Sequence, residues 1–120
     1  MDRFILPVGW TGVVSASRWR KPYGWCSHGE KLVTVIPPAW IPASWGIRYF
    51  FEKIIFNHEA LHAWGSPGCS RPWCLGYEGK TWKEYLAMPL QLSAGLYFCD
   101  DCMAYYERGQ MAARALKREV

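Results

Sequence analysis

The chain has 120 residues, 51% of them apolar, 17% aromatic and only 20% charged, with 8 Trp and 5 Cys. This composition excludes a disordered tail, a collagen-like repeat and a coiled coil. The length holds one domain, residues 1–120, whose small core needs a metal or disulfide staple. The net charge of +4 is scattered, with a modest concentration at Arg108, Arg114, Lys117 and Arg118 that reads as a solvated helix face, so nucleic acid is not the expected partner.

In chain order, Phe4 to Val14 is mostly apolar and Ser15-Ala16-Ser17 resembles a cleavage site. Asp2, a single Arg3 and the interruptions Pro7, Gly9 and Gly12 fit a twisted strand pair better than a signal peptide. Cysteine use then points to the cytoplasm, and no apolar run approaches the ~20 residues of a membrane span. Short β-type runs at Phe4 to Val8, Gly12 to Ala16 and Leu32 to Ile36, separated by Gly and Pro turns, predict a small, mostly antiparallel sheet. Between them, Arg18-Trp19-Arg20-Lys21-Pro22-Tyr23 interleaves cations with aromatics. That pattern suits stacked bases beside phosphates, but such runs more often line a loop packed on the core. Pro37, Pro38 and Pro42 make residues 37–43 a stiff connector.

From Ser44, read as an N-cap, the period changes: Ile47, Phe50, Phe51, Ile54, Ile55, His58, Leu61 and His62 recur at three- and four-residue steps and predict an amphipathic helix, with Gly65, Pro67 and Gly68 as its stop. Glu78 to Phe98 reads as helix broken near Pro89, and Met103 to Lys117 as a last helix. The expected fold class is α+β: a small N-terminal sheet, a long helix beneath it and a helical C-terminal part.

The long helix carries His58-Glu59-Ala60-Leu61-His62, an HExxH motif. Two His four residues apart stand about 40° apart around the axis, one turn above each other, so both can reach one ion. Glu59 projects from the adjoining face, where a carboxylate can take a proton from metal-activated water. A buried Glu59 without a metal would be costly, since no Lys or Arg lies one turn away in the sequence. Cys69-x4-Cys74 and Cys99-x2-Cys102 form two close pairs, suited to one structural zinc held by four thiolates, with disulfides as the alternative. Cys26, with His28 two residues on, is left over and reads as a buried thiol.

HEALHAWG, residues 58–65, followed by Cys69, Cys74 and the distal Cys99-x2-Cys102, resembles the archaemetzincin pattern, in which an HExxHxxG helix leads into a four-cysteine zinc site. The resemblance covers Asn57 to Cys102. It implies a minimal zincin: a zinc metallopeptidase acting on a peptide or protein, with Glu59 catalytic, His58 and His62 on a catalytic zinc, and Cys69, Cys74, Cys99 and Cys102 on a structural zinc. The family's third zinc-binding His falls at Gly68 and its Met-turn methionine at Gly76, so the third ligand does not carry over.

Glu78 is the first choice for that ligand. With Trp82, Leu86, Met88 and Pro89 after it, the segment resembles the glutamate helix of the ImmA/IrrE family of small gluzincins, although only 16 residues separate it from His62. Glu84 is the alternative, and it also completes a capping box with Thr81. His28, Asp100, Asp101 or no protein ligand share the remainder. A peptide substrate is expected along the edge of the Leu32 to Ile36 strand. The rivals are a non-enzymatic zinc-knuckle module binding protein or nucleic acid, and an inactive zincin that lacks its third ligand.

Overall fold

The computed structural model describes residues 3–20, 22–42, 46–71, 73–77 and 98–119, with the side chains of 47 and 112–119 left aside. The chain forms two compact units, Met1–Trp64 and Gly65–Val120.

The first unit sets a helix on a three-stranded sheet. The strands are β1 (Thr11–Val14), β2 (Gly24–Ser27) and β3 (Leu32–Val35), in the order β1-β3-β2. β2 and β3 are antiparallel, from Gly24↔Val35 to Ser27↔Leu32, and are joined by a short turn in which Lys31 adopts φ 53°. β1 runs parallel to β3, from Thr11↔Leu32 to Val14↔Val35. The sheet is therefore mixed rather than mostly antiparallel, because β3 returns from the hairpin into the place between β1 and β2. β3 is the central strand and β2 an outer one, so the edge expected at Leu32 to Ile36 is already paired on both sides.

Phe4 to Val8 is not a strand. Its polar backbone goes to the helix instead: the Phe4 N–H donates to Asn57 Oδ1 at 2.7 Å, and the Trp64 indole N–H donates to the Ile5 carbonyl at 2.7 Å. Asn57 is fully buried, and this bond satisfies its amide oxygen.

Helix α1 (Gly46–Ala63) packs on β2 and β3. Its apolar residues Phe51, Ile54, Ile55 and Leu61 close a core with Val33, Val35, Ile36 and Ile41. The approach is close enough to need two glycines. A Cβ at Gly12 would stand 2.7 Å from Phe56 Cε2, and one at Gly24 would stand 2.8 Å from Ile55 Cγ2. The helix stops where the sequence places its breakers: Gly65 and Gly68 have φ of 99° and 103°, left-handed values that glycine adopts at little cost. The N-cap expected at Ser44 lies outside the described residues.

In the second unit, helix α2 (Asp100–Glu119) begins three residues ahead of the expected Met103. The helix expected from Glu78 lies outside the described residues as far as residue 97. No helix among the described residues is long and apolar enough to cross a membrane. Sheet and helices together give the expected α+β class.

Candidate metal centres

The helix centre follows from the angular spacing of α1. At about 100° per residue, Glu59 shares a row with Ile55, and His58 and His62 lie together on one flank of that row. The row faces β2: a Cβ at Gly24 would stand 3.2 Å from Glu59 Cγ and 3.0 Å from the Thr34 carbonyl oxygen. Glu59 is thus buried under an outer strand, while both histidines are half-buried. The two imidazole centroids are 5.3 Å apart, edge to face, and His58 Nε2 is 3.9 Å from Glu59 Oε1. The strand above contributes Cys26, whose thiol is pushed up to about 11 by burial first and by the Glu59 carboxylate second.

Of the residues considered for a third donor, Glu78 and Glu84 lie outside the described residues. His28 is exposed in the β2–β3 turn, where its ring meets Trp10 edge-on at 5.2 Å. Asp100 and Asp101 open α2.

The cysteine centre is assembled from two segments of the second unit. After Gly68 the chain loops back on itself: the Cys69 N–H donates to the Gly76 carbonyl at 3.1 Å and the Cys74 N–H to the Arg71 carbonyl at 3.0 Å, with a bridge between Cys69 and Tyr77. Cys99 is the residue before α2. Its carbonyl accepts the first helical bond, from the Met103 N–H at 3.0 Å, and its sulfur accepts the Cys102 N–H, so Cys99 caps the helix as a Ser or Asp would. The Cys-x2-Cys spacing therefore puts one sulfur at the cap and one in the first turn.

All four sulfurs lie within 4.8 Å of one another, with Cys69 and Cys99 at 3.7 Å and Cys74 and Cys102 at 3.6 Å. Among the described residues this is the one group of three or more His, Cys, Asp or Glu donors placed closely enough to hold a metal ion. A disulfide needs sulfurs about 2.05 Å apart, and all five cysteines are free thiols. Backbone amides are aimed at the sulfurs: Gly76 and Cys99 donate to Cys74 at 3.3 Å each, and Arg71 to Cys69 at 3.5 Å.

Packed this closely, the four groups cannot ionise independently. Burial opposes the Cys99 thiolate, but bonds from the Cys102 amide and from the Cys102, Cys69 and Arg71 side chains outweigh it and bring it down to about 7. Burial drives Cys74 and Cys102 the other way, and the neighbouring sulfurs add to the rise at Cys102. A cation among the sulfurs is the arrangement in which all four are favourably thiolate.

Two residues of this centre escaped the sequence reading. A Cβ at Gly76 would stand 3.0 Å from Cys102 Sγ, a tight contact that favours glycine where the loop closes on the sulfurs, and Gly76 two residues after Cys74 was the available signal. The Arg71 guanidinium donates to Asp101 Oδ2 at 2.8 Å and to Cys99 Sγ at 3.1 Å, a contact that spans residues too far apart in sequence to be read from spacing. No protein-family model, curated protein or solved structure matches the chain.

Proposed function

We propose that this chain is a zinc-dependent metallopeptidase, with one catalytic zinc on α1 and one structural zinc in the cysteine cluster. The observation that carries the reading is the packing of the HExxH residues beside an outer strand: Glu59 is buried against Gly24, and the half-buried His58 and His62 imidazoles stand side by side on its flank. With Zn–N of about 2.1 Å and a tetrahedral angle, two imidazoles on one ion hold their centroids about 5 Å apart. The 5.3 Å separation of His58 and His62 fits that geometry. The cysteine cluster fits the same metal: at Zn–S of about 2.3 Å a tetrahedron has edges of about 3.8 Å, against 3.6 and 3.7 Å between the sulfur pairs.

His58 and His62 would hold the zinc, which when bound would supply a Lewis acid to polarise the scissile carbonyl and lower the pKa of water toward ~7. Glu59, dry and fixed against Gly24, takes the proton of the attacking water and passes it to the leaving amine. The third ligand is the part of this reading that rests on the sequence alone, with Glu78 its first choice and Glu84 the competitor. Because β3 is central, the peptide pairs with the outer strand β2, whose Gly24 lies directly over Glu59.

Glu59→Gln tests this. Cleavage of an unstructured protein substrate should fall by roughly 10²–10⁴-fold with zinc content unchanged, and full activity in the variant would overturn the mechanism.

The second reading is a non-enzymatic zinc-knuckle module. It is favoured by the completeness of the four-sulfur group and by a cavity of about 390 Å³ beside it, where Ser70, Arg71, Asp101, Tyr105 and Arg108 offer a place for a partner. One zinc per chain would support it.

A further inference from the structure

The cationic-aromatic run at residues 18–23 does not pack on the core as such runs usually do. Residues 15–20 and Pro22 are all exposed, and in the run only Tyr23 is buried. Tyr23 holds the rest in place. Its hydroxyl donates to the Trp19 carbonyl at 2.8 Å and accepts the Trp40 indole N–H at 2.8 Å. The loop is further pinned by Arg18 N–H to the Pro37 carbonyl at 3.2 Å and Ala39 N–H to the Arg18 carbonyl at 2.8 Å. One hydroxyl thereby holds the Trp40 indole and the Trp19 backbone together; the Trp19 side chain is 71% exposed and Trp40 39%, with Trp40 braced edge-on by Phe51 at 6.2 Å.

The charge of this stretch of sequence is one-sided. From Arg3 to Gly29 the sequence holds Arg3, Arg18, Arg20 and Lys21 and no acidic residue. Among the described residues, Arg18 and Arg20 form no ion pair. Two exposed indoles on loops tied together by hydrogen bonds, beside Arg18 and Arg20, bring aromatic and cationic groups together.

We infer that the Trp19–Trp40 surface, flanked by Arg18 and Arg20, binds single-stranded nucleic acid, with bases stacked on the indoles and phosphates held by the guanidinium groups. Base–aromatic stacking tolerates any sequence because every base offers a π-face, and alternate cations and rings match the alternation of phosphate and base along a strand. An acidic peptide would use the arginines and leave the indoles idle. A lipid surface would call on a broader apolar face than the loop offers, where Ser15 and Ser17 stand beside the cations. The binding is independent of the peptidase reading: it uses none of His58, Glu59 or His62.

The test is fluorescence anisotropy of labelled oligothymidylate with the full chain. Binding should weaken as salt rises and exceed that of a duplex of equal length. Trp19→Ala should lower affinity about tenfold or more, while Trp19→Phe should keep most of it. The pair Arg18→Gln and Arg20→Gln should flatten the salt dependence by about 1.4 in log–log slope. Unchanged circular dichroism and zinc content are expected, because all three residues are exposed. No binding at low salt, affinity indifferent to Trp19→Ala, or anionic vesicles or polyglutamate bound more tightly than the oligonucleotide would each overturn the inference.

Discussion

The cysteine cluster draws all four donors from two short segments, residues 69–74 and 99–102, whereas the helix centre carries two imidazoles and a carboxylate on a single helix. In the first, two tight turns and a helix cap fix every sulfur. In the second, the helix fixes the angle between the histidines, and the sheet above fixes the carboxylate. The contrast separates two jobs. A structural centre gains from being closed and pre-satisfied, and amides are aimed at its sulfurs. A hydrolytic centre, as proposed for α1, would need an open position beside its metal, and His58 and His62 are half-buried rather than closed over.

The largest effect expected from breaking this contrast is at Cys74, which is fully buried and accepts two amides. Cys74→Ser should empty the cluster and, because structural zinc contributes about 10–16 kcal/mol of apparent binding free energy in small zinc domains, melt the loop around it. Limited proteolysis should then cut first within residues 65–77. A variant that kept its zinc and its protease resistance would show that the cluster is not a staple. Glu59→Gln comes next, with cleavage lost and metal kept.

Gly24→Ala probes the join between sheet and helix. The added methyl meets Ile55, the Thr34 carbonyl and Glu59. It should cost about 1–3 kcal/mol in urea unfolding and lower cleavage by displacing the carboxylate, whereas a neutral result would mean that β2 does not hold Glu59.

Much of this was legible in the sequence. The three- and four-residue steps from Phe50 to His62 gave α1 and its two-histidine flank, and Gly65 and Gly68 gave its end. The cysteine spacing gave the cluster, because both pairs are local. β2 was missed, since Gly-Trp-Cys-Ser has neither alternation nor branched residues to mark a strand. The parallel pairing of β1 with β3 was missed because strand order is not carried by any local pattern, and Phe4 to Val8 was misread because its backbone bonds Asn57 and Trp64 rather than a strand. That the cationic-aromatic run projects, pinned by Tyr23 and by backbone bonds to Pro37 and Ala39, rests on contacts distant in sequence that no spacing rule reports.

The smallest effect is at Cys26. Its thiol, raised to about 11 from 9.0, holds its proton more tightly in the folded state. The stability this contributes is fully present below about pH 9 and is lost as pH rises toward about 11. Cys26→Ala should therefore flatten the alkaline limb of a stability–pH curve measured by urea titration. An unchanged limb would separate Cys26 from the Glu59 environment.

Zinc content per chain tests the central claim most directly, measured on the full chain and on the double variant His58→Ala, His62→Ala. Two zinc ions should fall to one, with the cysteine centre still occupied. One zinc in both proteins would contradict a catalytic metal on α1.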